Sequence, residues 1–300
     1  MEKRKLGHTD LEVSRLGVGL SEISSLGLGD VDTVAHLLNT ALDNGMNFLD
    51  TAACYGNSEA LIGQAVADRR DEFVLSTKAG HVAGEYTGRP WTGETVRDSI
   101  DRSLRRLQTD YLDAVLLHSC NIRILEKGDV IEALQDAKQA GKTRYIGYSG
   151  DNESASWAVE SGLFDILETS YNLVDQRART RLFSKAIEQD MGIIAKRPIA
   201  NAAWGADSSP SSYADEYFRR AEIMREEGPI PGEPDDPILL ALGFTLANES
   251  VDTAIVGTSD PGHMQANIRM VEQQLPIAEE AVQALKDRFY EFDSEWLQQG

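Results

Sequence analysis

The chain has 300 residues, 41% of them hydrophobic, which is enough to bury a sizeable core and matches the length of one barrel-sized domain spanning residues 1–300. Lys and Arg total 29 against 49 Asp and Glu, a formal charge of −20 at pH 7, which excludes nucleic acid and anionic membranes as favoured partners. No apolar run reaches the length of a membrane span, Met1-Glu-Lys-Arg-Lys5 leads into no apolar signal core, and Cys54 and Cys120 form no disulfide framework, so a cytoplasmic location is expected.

In chain order, residues 2–14 read as two short alternating segments around a turn at Gly7, a hairpin capping the amino-terminal face of the domain. Short aliphatic runs then recur at Leu16–Gly19, Met46–Leu49, Phe73–Thr77, Ala114–Leu117, Arg144–Gly147, Asp165–Thr169, Gly192–Ala195 and Thr253–Val256. Amphipathic stretches such as Val31–Asn44, Thr92–Leu107, Val130–Ala140 and Gln176–Gln189 lie between them. Such alternation predicts parallel strands joined by helical crossovers, and eight strands in one domain is the count of an α/β (β/α)8 TIM barrel. A long connection after strand seven, Ile199–Asp236, carries a polar helical piece near Asp215–Glu227 and reads as a binding loop or lid. A last barrel helix near Pro261–Gln273 precedes a C-terminal helix predicted from Pro276 to about Asp293. Gly17-Val-Gly19 is not a dinucleotide fingerprint, because Glu22 stands where the third glycine belongs. These glycines fit a close backbone approach to a ligand at the end of strand one.

The candidate chemistry sits where strands end. Asp50 and Tyr55 follow strand two, Lys78 follows strand three, and His118 follows strand four, all at the carboxyl edge where parallel α/β folds place their ligands. A phenol has a pKa near ~10, so proton donation by Tyr55 needs help, and a Lys78 ammonium held by Asp50 would favour the phenolate. His118 is placed to orient a substrate oxygen. No nucleophile–base pair and no metal-ligand cluster accompanies them, so the site suits carbonyl reduction by a hydride brought from a cofactor. Cys54, Trp91 and Trp204 are candidate walls of the substrate pocket.

Asp50-Thr-Ala-Ala-Cys-Tyr55-Gly56, Ser76-Thr-Lys78, Leu116-Leu-His118, Tyr145-Ile-Gly-Tyr-Ser149, Tyr171-Asn172 and Ile255-Val-Gly-Thr-Ser259 with Asn267 resemble the aldo-keto reductase family across nearly the whole chain. The resemblance implies an Asp50, Tyr55, Lys78, His118 tetrad, a small carbonyl substrate, and NADP(H), with NAD(H) possible, lying across the barrel mouth. Its cofactor contacts would fall on Gly19, Asp50, Ser149, Glu168, Lys196, Arg197 and Pro198, with the adenosine phosphate near Gly257, Thr258, Ser259, His263 and Asn267. Departures gather there: Gly150 replaces an Asn, Glu168 a carboxamide-gripping Gln, Lys196 an aromatic that stacks on the nicotinamide, and Gly257 and His263 two phosphate-binding cations. Two alternatives within the resemblance are an NAD-dependent aldose dehydrogenase and a slow-turnover, cofactor-binding regulatory subunit.

Overall fold

Eight parallel strands close into a barrel in the computed structural model, which describes residues 1–84, 86–292 and 296–299. A hairpin of β1 (Lys3–Lys5) and β2 (Glu12–Ser14) comes first. The barrel consists of β3 (Leu16–Gly19), β4 (Phe48–Asp50), β5 (Val74–Ala79), β6 (Leu112–His118), β7 (Thr143–Ser149), β8 (Ile166–Ser170), β9 (Gly192–Lys196) and β10 (Thr253–Gly257). The strands pair in sequence order, and β10 closes on β3.

Side chains alternate across a strand, so one register around the barrel decides what fills it. Phe48, Val74, Ala114, Leu116, Ile166, Ile194 and Ile255 point inward and pack together near the amino-terminal end. Leu6, Leu11 and Val13 of the hairpin join that cluster and plug the barrel from below, as the hairpin cap predicted. The opposite faces, with Leu49, Leu75, Val115, Leu117 and Leu167, pack outward against the helices in the main core. Gly147 is required inside: a Cβ there would lie 2.3 Å from Leu116 and 2.6 Å from the carbonyl oxygen of Ile166. The same alternation puts Asp50, Lys78, His118, Ser149, Glu168 and Lys196 on the inner face at the carboxyl end.

Strand ends shift from the sequence reading by a residue or two, and two helices differ by more. The helix expected over Gln176–Gln189 is two short ones, Arg177–Arg181 and Phe183–Glu188, broken at Leu182, where Arg177 and Phe183 both turn inward. The terminal helix begins at Glu279 rather than Pro276; ahead of it Ile277 packs against Gly243, whose missing Cβ makes room for it. Its expected end at Asp293 lies outside the described residues. The long connection does carry a helix, Asp215–Glu226, held by Tyr217 donating to Asp175 Oδ2 at 3.2 Å and Arg220 donating to the Leu297 carbonyl at 2.6 Å.

Candidate active site

A cleft of about 920 Å³ opens at the carboxyl ends of the strands and is lined by Asp50, Tyr55, His118, Ser149 and Glu168, among others. Lys78 lies beneath it, 2% exposed, and donates to Asp50 Oδ2 and, at 3.1 Å, to the carbonyl of Thr51. Asp50 and Glu168 are each 2% exposed as well. Glu168 Oε2 lies 3.4 Å from Lys78 Nζ, and Glu168 Oε1 accepts from Ser149 Oγ at 3.0 Å. One ammonium is thus buried between two carboxylates.

Tyr55 sits above this cluster, its ring centroid 5.6 Å from Lys78 Nζ and 5.6 Å, edge to face, from the His118 ring. His118 Nδ1 is 3.3 Å from Cys54 Sγ. The four residues expected from strand ends therefore converge on one place. Register explains it: Asp50 pairs with Ser76, His118 with Ser149, and Ser149 with Glu168, so the polar ends of neighbouring strands share a layer.

Burial sets the protonation states. It pushes the Tyr55 phenol well above its ordinary value; Lys78 pulls the other way, as expected, but the pull is smaller than the desolvation. For Lys78, burial would lower the ammonium, yet Asp50 and Glu168 more than offset it and hold the group above the ordinary lysine range. His118 is driven down to about 2 by burial, helped by Lys78 and His81, so its imidazole is neutral at any working pH. Burial also raises both thiols, Cys120 to about 12, which keeps them from being reactive thiolates.

Of the other expected cofactor positions, Gly19, Arg197, Pro198 and Gly257 line the cleft. Lys196 also lines it, but its ammonium is tied to Asp151 Oδ2 at 2.9 Å. Arg197 is turned to the carbonyl of Gln299, bringing the C-terminal tail to the cleft edge, and Gln298 donates to the carbonyl of Ser170 at 3.0 Å. Thr258, Ser259, His263 and Asn267 stand apart from the cleft, around the start of the helix Pro261–Gln273. There Asp260 caps the helix, accepting from Gly262 N at 2.7 Å, while Thr258 Oγ1 accepts from Asp260 N at 3.0 Å. The first-turn amide at this helix start thus already has a carboxylate partner, and the Thr258 hydroxyl is engaged by the backbone of Asp260. His263 has a side chain 76% exposed, with Nε2 3.9 Å from Asp260.

Cys54 lines the cleft, but the two tryptophans do not. Trp204 is 5% exposed and belongs to the core, because Gly205 turns the chain and the indole packs inward. Trp91 lies over Gly80, where a Cβ would be 2.1 Å from its ring, and backs His81 with ring centroids 4.6 Å apart. His81, which the sequence reading missed, lines the cleft and contacts His118 edge to face at 4.9 Å. Its only sequence signal is a position three residues after Lys78 at the same strand edge.

A strand-end phenol, ammonium and imidazole around a barrel-mouth cleft define an oxidoreductase of the carbonyl-reducing class. The sequence profile of the Aldo/keto reductase family matches residues 15–287, and the chain belongs to that family, whose enzymes work with a nicotinamide cofactor. It is 34% identical to the aldo-keto reductase YhdN of Bacillus subtilis strain 168, covering 89% of this chain and 87% of that one. It is 29% identical to the L-galactose dehydrogenase of Arabidopsis thaliana, over 91% of this chain and 89% of the relative. Among solved structures, the holo form of the aldo-keto reductase AKR11C1 from Bacillus halodurans superposes with a TM-score of 0.82 at 28% identity, covering 96% of each chain.

The residues present fit such a cofactor. Glu168 Oε2 and Asp50 Oδ1 are buried and accept no hydrogen bond among the described residues, and both side chains face the cleft. Polar groups so placed call for a ligand's donors.

Proposed function

We propose that the protein reduces an aldehyde, ketone or sugar carbonyl, with Tyr55 as the proton donor, Lys78 and Asp50 as its electrostatic support and His118 as the group that orients the substrate oxygen. The carrying observation is that a protonated phenol and a neutral imidazole, 5.6 Å apart, face one cleft above a buried ammonium. The bound nicotinamide supplies the hydride that no side chain here can provide.

The chain's own residues act through these protonation states. Tyr55 lines the cleft and keeps its proton at neutral pH. As that proton leaves, Lys78 is the cation whose charge favours the developing phenolate. His118, neutral, donates from a ring N–H without competing as an acid. Cys54 at Nδ1 and His81 at the ring edge keep the imidazole in place.

The same site run in reverse, as a sugar dehydrogenase, is the second reading, supported by the likeness to L-galactose dehydrogenase. Oxidation starts from the phenolate and reduction from the phenol; burial favours the phenol, so near neutrality the site rests in the form from which reduction starts.

For the cofactor, the geometry supports weak discrimination. Gly257 and His263 bring no fixed cation to the adenosine end, and Asp260 places a carboxylate at the helix start, where it opposes a phosphate. A charge-assisted contact is worth roughly 1.5–3 kcal/mol, so lacking two removes much of an NADPH preference. NADPH and NADH are expected to bind within about a factor of ten of each other. Fluorescence titration with both, followed by a carbonyl panel under each, tests the reading. A preference of about a thousandfold for NADPH would require a phosphate site other than this one. Tight binding with background turnover on every carbonyl would favour a regulatory role.

A further inference from the structure

Glu168 adds a feature that the tetrad alone does not have. Lys78 Nζ has Asp50 on one side and, 3.4 Å away, Glu168 Oε2 on the other, all three nearly excluded from water. Two buried carboxylates against one ammonium leave an excess negative charge, and a low-dielectric site resists it by taking up a proton. The surroundings do not supply the missing cation. On β9, Lys196 is neutralised by Asp151, and Arg197, just past its end, is directed at Ser170 and the carbonyl of Gln299. On β6, His118 is neutral, and Ser149 of β7 gives Glu168 a hydrogen bond but no charge. Tyr55 and Cys54, after β4, are both held in their protonated forms.

Resting on the nicotinamide reading above, we infer that the Asp50–Lys78–Glu168 cluster holds an extra proton and releases it when an oxidised nicotinamide binds, so that Glu168 makes oxidised-cofactor affinity depend on pH. The physical difference between the two cofactor forms drives it. An oxidised nicotinamide ring carries a positive charge and the reduced ring carries none. A positive ring in the cleft that Glu168 and Asp50 line favours loss of the cluster's extra proton, whereas a neutral ring leaves that proton where it is. The direction of titration agrees, since Asp50 is raised from the ordinary carboxylate range by burial first and by the charge of Glu168 second, against the opposing pull of Lys78. Because binding releases a proton, binding tightens as pH rises.

The consequence is a pH-set product inhibition. Oxidised cofactor would be retained more strongly in an alkaline medium and let go more readily in an acidic one, while reduced cofactor binds alike in both.

The test compares oxidised and reduced forms of the same dinucleotide, NAD+ against NADH and NADP+ against NADPH, so that any titration at the adenosine end cancels in the ratio. Dissociation constants at pH 6 and pH 8 should give an oxidised-to-reduced ratio that falls about tenfold as pH rises, for one linked proton that titrates midway between the two values. Calorimetry in two buffers of different ionisation heat should register release of up to about one proton with the oxidised form and close to none with the reduced form. Glu168→Gln keeps an acceptor for Ser149 and removes the second carboxylate, and in this variant the ratio should no longer vary with pH. A pH-independent ratio in the wild type with both forms binding overturns the inference and leaves the functional reading intact. A pH-dependent ratio that survives in Glu168→Gln moves the proton to another group and overturns it too. If neither form binds, the nicotinamide reading itself fails.

Discussion

Tyr55→Phe is expected to lose at least ~100-fold in turnover on any carbonyl substrate while its affinity for nicotinamide cofactor stays unchanged, the scale of losing a general acid. Only the hydroxyl is removed. The phenyl ring still packs edge to face on His118 and over Lys78, so the cleft keeps its shape. A structural role would instead lower stability and cofactor binding together. Steady-state rates beside a cofactor titration and a melting curve separate the two cases. Retention of more than about a third of wild-type turnover would remove Tyr55 from the chemistry.

Lys78→Met carries the second large effect, and it should appear in both rate and stability. Without the ammonium, the phenolate that forms during proton transfer loses the cation whose charge favours it, so the rate should fall to a level comparable with Tyr55→Phe. Asp50 and Glu168 are left buried with no cation between them, and breaking such a cluster costs about 3–5 kcal/mol. The pH dependence has a definite sign. With Lys78 gone, the folded state can tolerate the carboxylates only by binding protons that the unfolded chain has released, so stability falls as pH rises from the acid side through neutrality. Denaturant midpoints at acid and neutral pH should therefore converge between variant and wild type at the acid end. A deficit that is the same at both would show that Lys78 stabilises by packing alone.

Much of the barrel was legible in the sequence because strands buried on both faces read as unbroken apolar runs. Every predicted strand overlaps an observed one, and the polar residue ending a run marks the carboxyl edge. Asp50, Tyr55, Lys78 and His118 could be singled out for that reason, without knowledge of the register that brings them together. That Glu168 would sit within ion-pair range of Lys78 was not readable, because it depends on barrel closure placing β8 across from β5. Likewise, Lys78 visibly favours an ionised Tyr55, but only the burial of the site decides which influence is larger.

The misplacements have local physical causes. Trp204 looked like a loop aromatic beside the mouth, yet it is core, since the long connection folds back through buried Tyr217 and Arg220 rather than hanging free. At the helix start near Pro261, beside the residues to which the resemblance assigns the adenosine phosphate, Asp260 satisfies a first-turn amide, a cap that its place just before Pro261 does suggest. His81 offered only its place just past a strand end, which acquires meaning once Trp91 and His118 are seen against it.

The central claim is hydride transfer to a carbonyl carbon with Tyr55 giving the proton, and its most direct measurement uses reduced cofactor deuterated at the transferring position of the nicotinamide ring. Single-turnover reactions with an aldehyde, a ketone and an open-chain sugar, analysed by mass spectrometry, should place the deuterium on the carbinol carbon, and Tyr55→Phe should slow its appearance by at least ~100-fold without moving it. Cofactor that binds in the cleft but is oxidised by none of these carbonyls, or deuterium that appears elsewhere in the product, would contradict it.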